Sequence, residues 1–275
     1  MASSNLATRF LTAGIGGPLI LLLLYLGPPW GWFAFIATAA VIGADELAGM
    51  MHPADRVARV AAAALAVAFL AGLWFGGHDA RILMAMILAT PVVGIALVLW
   101  RLGDMPTAAT RLMAAAFGPL YVGGGLGAIA MLRRDAGPDG PGFVVLALML
   151  AWLSDTGGYF AGRFLGKRKL YEAVSPKKTI AGAVGGLAGG VAGALLAHFF
   201  YLRSLPLLDA LVLGVVGSAL GQIGDLGESV LKRSTGVKDS GGIVPGHGGI
   251  LDRVDALLVT GSITYLYVLF RRGAG

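Results

Sequence analysis

Apolar runs of membrane-crossing length recur along nearly the whole chain, and this repetition limits the possible folds more than any other feature. A helix needs about 20 mostly apolar residues to cross the hydrocarbon core of a bilayer. Nine stretches qualify, at roughly 10–27, 31–50, 57–76, 82–100, 107–131, 142–163, 179–201, 206–227 and 254–271. In lipid every backbone polar group must be satisfied within the protein, so only helices and closed barrels can span. A lipid-facing barrel would show alternating segments of about 10 residues. These runs are longer and do not alternate. The expected fold is therefore all-α, a polytopic membrane helix bundle of about nine transmembrane helices. It reads as a single integral membrane domain over 1–275. The N-terminal spans cover roughly 10–131, and a C-terminal part at roughly 142–271 carries most of the chemistry-bearing residues. The first run follows Arg9 and looks at first like a secretory leader. No small-x-small cleavage pattern follows it, and the chain continues into Gly27-Pro28-Pro29-Trp30. A retained first helix is expected.

Charge then orients the bundle. With the N-terminus inside, fifteen of the 21 Lys and Arg residues fall in cytoplasmic segments and six outside. That bias matches the positive-inside rule. Ten of the fifteen lie in two inner loops, 163–178 and 228–253, more than topology alone needs. The formal net charge of +6 would point to nucleic acid in a soluble chain. In a chain with only 13% charged residues it points instead to anionic lipid or phosphate, and nucleic acid is not an expected partner. The absence of cysteine excludes disulfides, iron–sulfur ligation, thiolate zinc sites and cysteine nucleophiles.

Glycine is abundant, with 44 residues. The segment AGAVGGLAGGVAG at 181–193 has overlapping small-xxx-small spacings, which let membrane helices approach closely. A nucleotide-binding glycine loop is the sharper reading, but no strand is expected before it. Gly123-Gly124-Gly125-Leu126-Gly127 reads as packing or a helix break.

The charged residues that could carry chemistry cluster late in the chain. Asp225 stands at the end of the eighth run. If its helix continues, Asp225, Glu228 and Lys232 share one face. Such acids could be a polar helix end or a metal and substrate site. Asp252 and Asp255 lie three apart before the last run, where acids could also cap a helix N-terminus. Carboxylates converging from two helices make a hard oxygen site of the kind Mg²⁺ uses with water and phosphate. His247 sits among glycines whose N–H groups could face an anion, so a phosphate contact is favoured over acid–base work. The basic stretch Arg163 to Lys169 and the following Ser175-Pro176-Lys177-Lys178-Thr179 read either as a topogenic loop or as a phosphate clamp. Ser154-Asp155 within the sixth run is a further candidate, since an intramembrane acid is functional by default. Asp45-Glu46 could pair with a basic group or line the same cavity.

These residues together resemble the phosphatidate cytidylyltransferase, or CDP-diacylglycerol synthase, family. Its C-terminal signature is matched by Ser229, Leu231, Lys232-Arg233, Lys238-Asp239, Gly241, Pro245, His247-Gly248-Gly249, Ile250, Asp252-Arg253, Val254 and Asp255. Val244 stands where Leu, Ile or Phe is usual and remains apolar. Ser154-Asp155-Thr156 through Gly166-Lys167, Ser175 to Thr179, and Gly224-Asp225 look like the family's inner motifs. In the N-terminal half only Glu46 aligns.

The resemblance implies transfer of CMP from CTP to phosphatidate, giving CDP-diacylglycerol and pyrophosphate for phospholipid biosynthesis. It implies Mg²⁺ with a second cation such as K⁺, contact with membrane lipid, and a homodimer. The expected location is a bacterial-type inner membrane, with the site facing the cytoplasm. By matched position Asp225 and Asp252 become the leading metal carboxylates, supported by Asp255 and Glu228. Lys232, Arg233 and His247 join the catalytic set. Ser154, Asp155, Lys167, Lys177, Lys178, Ser229, Lys238 and Arg253 become substrate contacts. Two other classes stay open on the residues alone: an ion-coupled transporter using Asp155 and Asp225, and a CTP-dependent lipid-alcohol kinase.

Overall fold

The computed structural model of the chain describes residues 14, 16–243 and 248–273. It is an all-α bundle with one small hairpin. Eight described helices are long and apolar enough to cross a membrane. They are α2 (Pro29–Met51), α3 (Arg56–Gly76), α4 (Ala80–Trp100), α5 (Met105–Asp135), α6 (Gly140–Leu165), α7 (Ile180–Tyr201), α8 (Leu207–Ser234) and α9 (Leu251–Arg271). A shorter apolar helix, α1 (Gly16–Leu26), precedes them. The expected span at 10–27 begins outside the described residues.

Helix starts follow local chemistry. Pro29 opens α2, where its missing N–H costs nothing. Asp55 caps α3 by accepting from the backbone N–H of Val57 and Ala58, both at 3.1 Å. Asp104 caps α5 through Thr107. Thr179 caps α7 by accepting from the Gly182 N–H at 3.0 Å.

The described residues form two compact units. The first takes the helices up to Ala130 together with Asp239–Arg253. Its helix α5 contains a π turn at Pro119–Gly124. There Gly123 meets the Ala66 carbonyl of α3 so closely that a side chain would collide. The glycine run at 123–127 thus both packs and interrupts the α-helical pattern.

The second unit takes Met131–Lys238 and the chain from Val254 onward. Helix α7 lies between α6 and α8, and its glycines face both. A methyl group at Gly185 would lie 2.7 Å from the Gly157 carbonyl oxygen, and one at Gly182 would lie 2.9 Å from that of Gly158. On the α8 side, a methyl at Gly190 would lie 3.0 Å from the Gly214 carbonyl oxygen. Backbone-to-backbone approach of this kind replaces the hydrophobic drive that lipid cannot supply. Helix α9 packs on α8 through Gly221, which meets Thr260, and Gly224, which meets Val259.

The basic loop departs from the all-helical expectation. Lys169–Tyr171 (β1) and Ser175–Thr179 (β2) pair antiparallel, with Lys169 opposite Thr179 and Tyr171 opposite Ser175. The Lys169 ammonium donates to the Pro176 carbonyl across the hairpin at 2.5 Å.

Candidate functional site

In the second unit α6, the hairpin, α7 and α8 enclose a cavity of about 370 Å³. That volume is within the range of small-ligand sites. Ser154, Asp155, Arg163, Lys177, Lys178 and Asp225 line it, six residues from three separate sequence motifs. The chain brings them together for identifiable reasons. The glycine contacts draw α6 against α7. Thr179 ends β2 and caps α7, so Lys177 and Lys178 are carried on a strand fixed at that end.

The polar contacts within the cavity are specific. The Lys178 ammonium donates to Asp225 Oδ2 at 2.5 Å, with the two side chains 29% and 23% exposed. Arg163 donates to the Tyr159 hydroxyl at 2.7 Å and lies over the same ring. Ser154 is only 5% exposed, and its hydroxyl has no hydrogen-bond partner among the described residues. A mid-helix hydroxyl ordinarily bonds back one turn, as Thr156 does to the Trp152 carbonyl at 2.8 Å. A buried polar atom left unmatched costs about 1–3 kcal/mol, which makes this hydroxyl a candidate ligand contact.

One turn along α8 from Asp225, the fully buried Glu228 accepts from Lys232 at 2.7 Å. Asp255, on α9, stands within electrostatic reach of Asp225, Glu228 and Asp155. The structure therefore continues α8 past Asp225 to Ser234 and puts Asp225, Glu228 and Lys232 on one rigid element. Among the described residues, no three Asp, Glu or His side chains gather closely enough to hold a metal ion by themselves. The donors that do gather are carboxylate oxygens. They fit Mg²⁺, which binds through one or two carboxylates and takes its remaining ligands from water and phosphate.

The first unit holds Asp252 and its surroundings. Asp252 Oδ2 accepts from the Ser240 N–H at 2.9 Å, the Ser240 hydroxyl at 3.0 Å and the Gly249 N–H at 2.9 Å. Glu46, 8% exposed on α2, accepts from the N–H of Ile250 at 3.0 Å and of Leu251 at 2.8 Å. The Ser240 hydroxyl also lies 3.2 Å from Glu46 Oε2. The neighbouring Asp45 pairs instead with Arg59, accepting from Nε at 2.9 Å.

Other expected site residues are not among those that line the cavity. Lys167, Lys238 and Arg253 are exposed, and Ser229 is buried on α8. Arg233 is exposed and donates to the Val237 carbonyl at 3.1 Å, closing the turn after α8. His247 lies outside the described residues. Sequence reasoning missed Tyr159 and Gln222, which also line the cavity, and Ser240, and left Glu46 without a partner. Tyr159 is four residues before Arg163, a helical spacing that could have flagged it. Nothing in the sequence flags the contact between Glu46 and residues 204 and 205 positions away.

The chain matches the model of the cytidylyltransferase family over residues 7–270. Among curated proteins it is 43% identical over 138 residues to a phosphatidate cytidylyltransferase of Staphylococcus saprophyticus, covering 50% of this chain and 52% of that one. It is 43% identical over 156 residues to the protein of that name from Brucella suis, 55% of this chain and 56% of the other. To that of Bacillus subtilis it is 44% identical over 139 residues, 50% of each. The chain spans about half the length of the curated relatives it matches. Matched across nearly all of its own length by the family's model, the chain belongs to the cytidylyltransferase family.

Proposed function

We propose that the protein transfers CMP from CTP to phosphatidate, releasing pyrophosphate and leaving CDP-diacylglycerol in the membrane. The observation that carries this reading is the cavity where Ser154, Arg163, Lys177, Lys178 and Asp225 converge between membrane-crossing helices. It offers positive charge and an orphaned hydroxyl to a phosphate, beside apolar helix surface suited to a lipid. The names of the three relatives support the same reaction.

In that reaction an oxygen of the lipid phosphate attacks the α-phosphorus of CTP in line. The bond from that phosphorus to the β-bridging oxygen breaks, and its electrons leave with pyrophosphate. Such a transfer needs positioning and charge neutralisation more than covalent help. Lys177, Lys178 and Arg163 neutralise phosphate oxygens. Asp225 holds the Lys178 ammonium in place before substrate arrives. The Ser154 hydroxyl donates to a substrate oxygen. When bound, Mg²⁺ supplies further charge neutralisation and alignment of the polyphosphate. Asp225 would hold it, with Asp255 and Glu228 contributing negative charge nearby. Asp252 and a second cation such as K⁺ belong to the same proposal. So do Lys232, Arg233, Lys238, Arg253 and His247 as phosphate contacts, and Ser229 and Lys167 as substrate contacts. The family resemblance supports a homodimer. The positive-inside count supports a cytoplasm-facing site in a bacterial inner membrane, on the side where CTP is found.

The test is pyrophosphate release by purified protein in mixed micelles of phosphatidate, with CTP and Mg²⁺. Release should require all three and be nearly abolished by Asp225→Asn. Equal release without phosphatidate, or with Asp225→Asn, would remove the assignment.

A further inference from the structure

The glycines around His247, after α8, read in sequence as an anion cradle. In the structure the described residues on either side, Ser240–Gly241 and Gly249–Leu251, meet a carboxylate from α2. Glu46 Oε1 accepts from the Ile250 N–H, and Oε2 accepts from the Leu251 N–H. These two donors belong to the entry and first residue of α9, where helical N–H groups have no partner of their own. A carboxylate also suits the positive end of the helix dipole.

Two glycines make the approach possible. A methyl at Gly241 would lie 2.5 Å from Glu46 Oε1, and one at Gly249 would lie 2.5 Å from Oε2. These glycines are therefore needed to admit the Glu46 side chain, independently of any ligand. Ser240 completes the arrangement. Its hydroxyl lies 3.2 Å from Glu46 and 3.0 Å from Asp252, and Asp252 Oδ2 ties both ends of the stretch through Ser240 and Gly249. A hydroxyl has one proton, so it donates to one carboxylate at a time. Adjacent Asp45 is engaged by Arg59, so only Glu46 of the pair faces this stretch.

We propose that Glu46 is a positioning residue for the reaction: it fixes the segment that carries Asp252. This rests on the reaction proposed above. Glu46 does not itself touch the reacting atoms. It acts by holding Ser240, Gly249 and the start of α9 in register, so that Asp252 is presented in one orientation.

The test is Glu46→Gln in the full-length protein. Glutamine can accept from one of the two adjacent N–H groups, but its amide nitrogen faces the other donor. Two readouts are needed. Hydrogen exchange of peptides covering residues 248–253 should accelerate, while peptides of α7 and α8 stay unchanged. In turnover, kcat should fall on the order of 10²-fold, the loss a misplacement of about 1 Å can produce, with KM for CTP changed less than about threefold. Glu46→Asp, one methylene short, should show the same pattern.

Unchanged exchange at 248–253 would overturn the proposal, as would unchanged kcat. Faster exchange throughout the protein would reduce Glu46 to a general stabilising residue and also overturn it. The exchange measurement needs no substrate. If the wild-type protein fails to turn over CTP and phosphatidate, the assigned reaction fails while the docking of this segment is still read directly.

Discussion

Replacing Lys178 by methionine removes one charge from the cavity and nearly preserves side-chain length. Two consequences can be sized. The first concerns stability. Lys178 and Asp225 are about three-quarters buried, and their contact is 2.5 Å. Exposed pairs contribute about 0–1 kcal/mol, and breaking a fully buried pair costs about 3–5 kcal/mol. The solvent that reaches this pair places the cost between them, at about 1–2 kcal/mol. Asp255 also lies within electrostatic reach of Asp225 and Glu228, so the loss falls on a site already rich in negative charge. The second concerns turnover. A hydrogen bond from a charged donor to a phosphate oxygen is worth about 1.5–3 kcal/mol. At about 1.4 kcal/mol per tenfold, kcat/KM should fall roughly 10- to 150-fold. The assay is steady-state pyrophosphate release across CTP concentrations in phosphatidate micelles, on protein whose folded fraction is set by thermal unfolding in the same detergent. Lys178→Arg should recover only part of the loss, because a planar fork does not reproduce a compact ammonium. Combining Lys178→Met with Asp225→Asn should give losses that do not add, since each variant removes the same pair. A change in kcat/KM below threefold for Lys178→Met would refute the placement of Lys178 against substrate phosphate.

Three further outcomes follow from other parts of the structure. Gly185→Val should lower the thermal midpoint by overpacking the α6–α7 contact, at about 1–3 kcal/mol, because even a methyl there meets Gly157 at 2.7 Å. An unchanged midpoint would mean that the two helices are not in backbone contact. Asp55 is held at about 2 by hydrogen bonding to the Arg101 guanidinium and to the Ala58 N–H. A depressed folded value means that its contribution is complete above the unfolded value of about 3.9 and lost as pH falls toward about 2. Thermal unfolding between pH 5 and 2 should therefore show a smaller acid dependence for Asp55→Asn, and identical profiles would contradict this. Asp252→Asn should fold, because an amide oxygen can still accept from the Ser240 and Gly249 N–H groups. It should lose nearly all turnover, and a fully active variant would remove the catalytic role of this carboxylate.

The bundle was readable in sequence because lipid leaves few alternatives: long apolar runs must be helices, and eight of them are found where expected. Glycine spacing also translated directly, since Gly182 and Gly185 face α6 just where small residues recur. The hairpin was not readable. Lys169–Tyr171 and Ser175–Thr179 are short and polar and lack the alternation of a half-buried strand. The gathering of Ser154, Lys177, Lys178 and Asp225 was legible as a set of motifs but not as a geometry, which depends on how α7 packs between its neighbours. Glu46 shows the limit most clearly. An acid near the end of an apolar helix announces a polar partner, but a partner made of backbone N–H groups about 200 residues away leaves no side-chain pattern to find. The glycines at 241 and 249 read in sequence as parts of the family signature. Their observed role is to give a carboxylate room.

The central claim is transfer of CMP, and the fate of a label on CTP tests it most directly. Purified protein is given phosphatidate, Mg²⁺ and CTP carrying label at either the α- or the γ-phosphate. The account predicts that α-label enters the lipid fraction and γ-label leaves as pyrophosphate. Transfer of γ-label to lipid, with α-label retained in soluble CDP, would contradict it and identify a kinase.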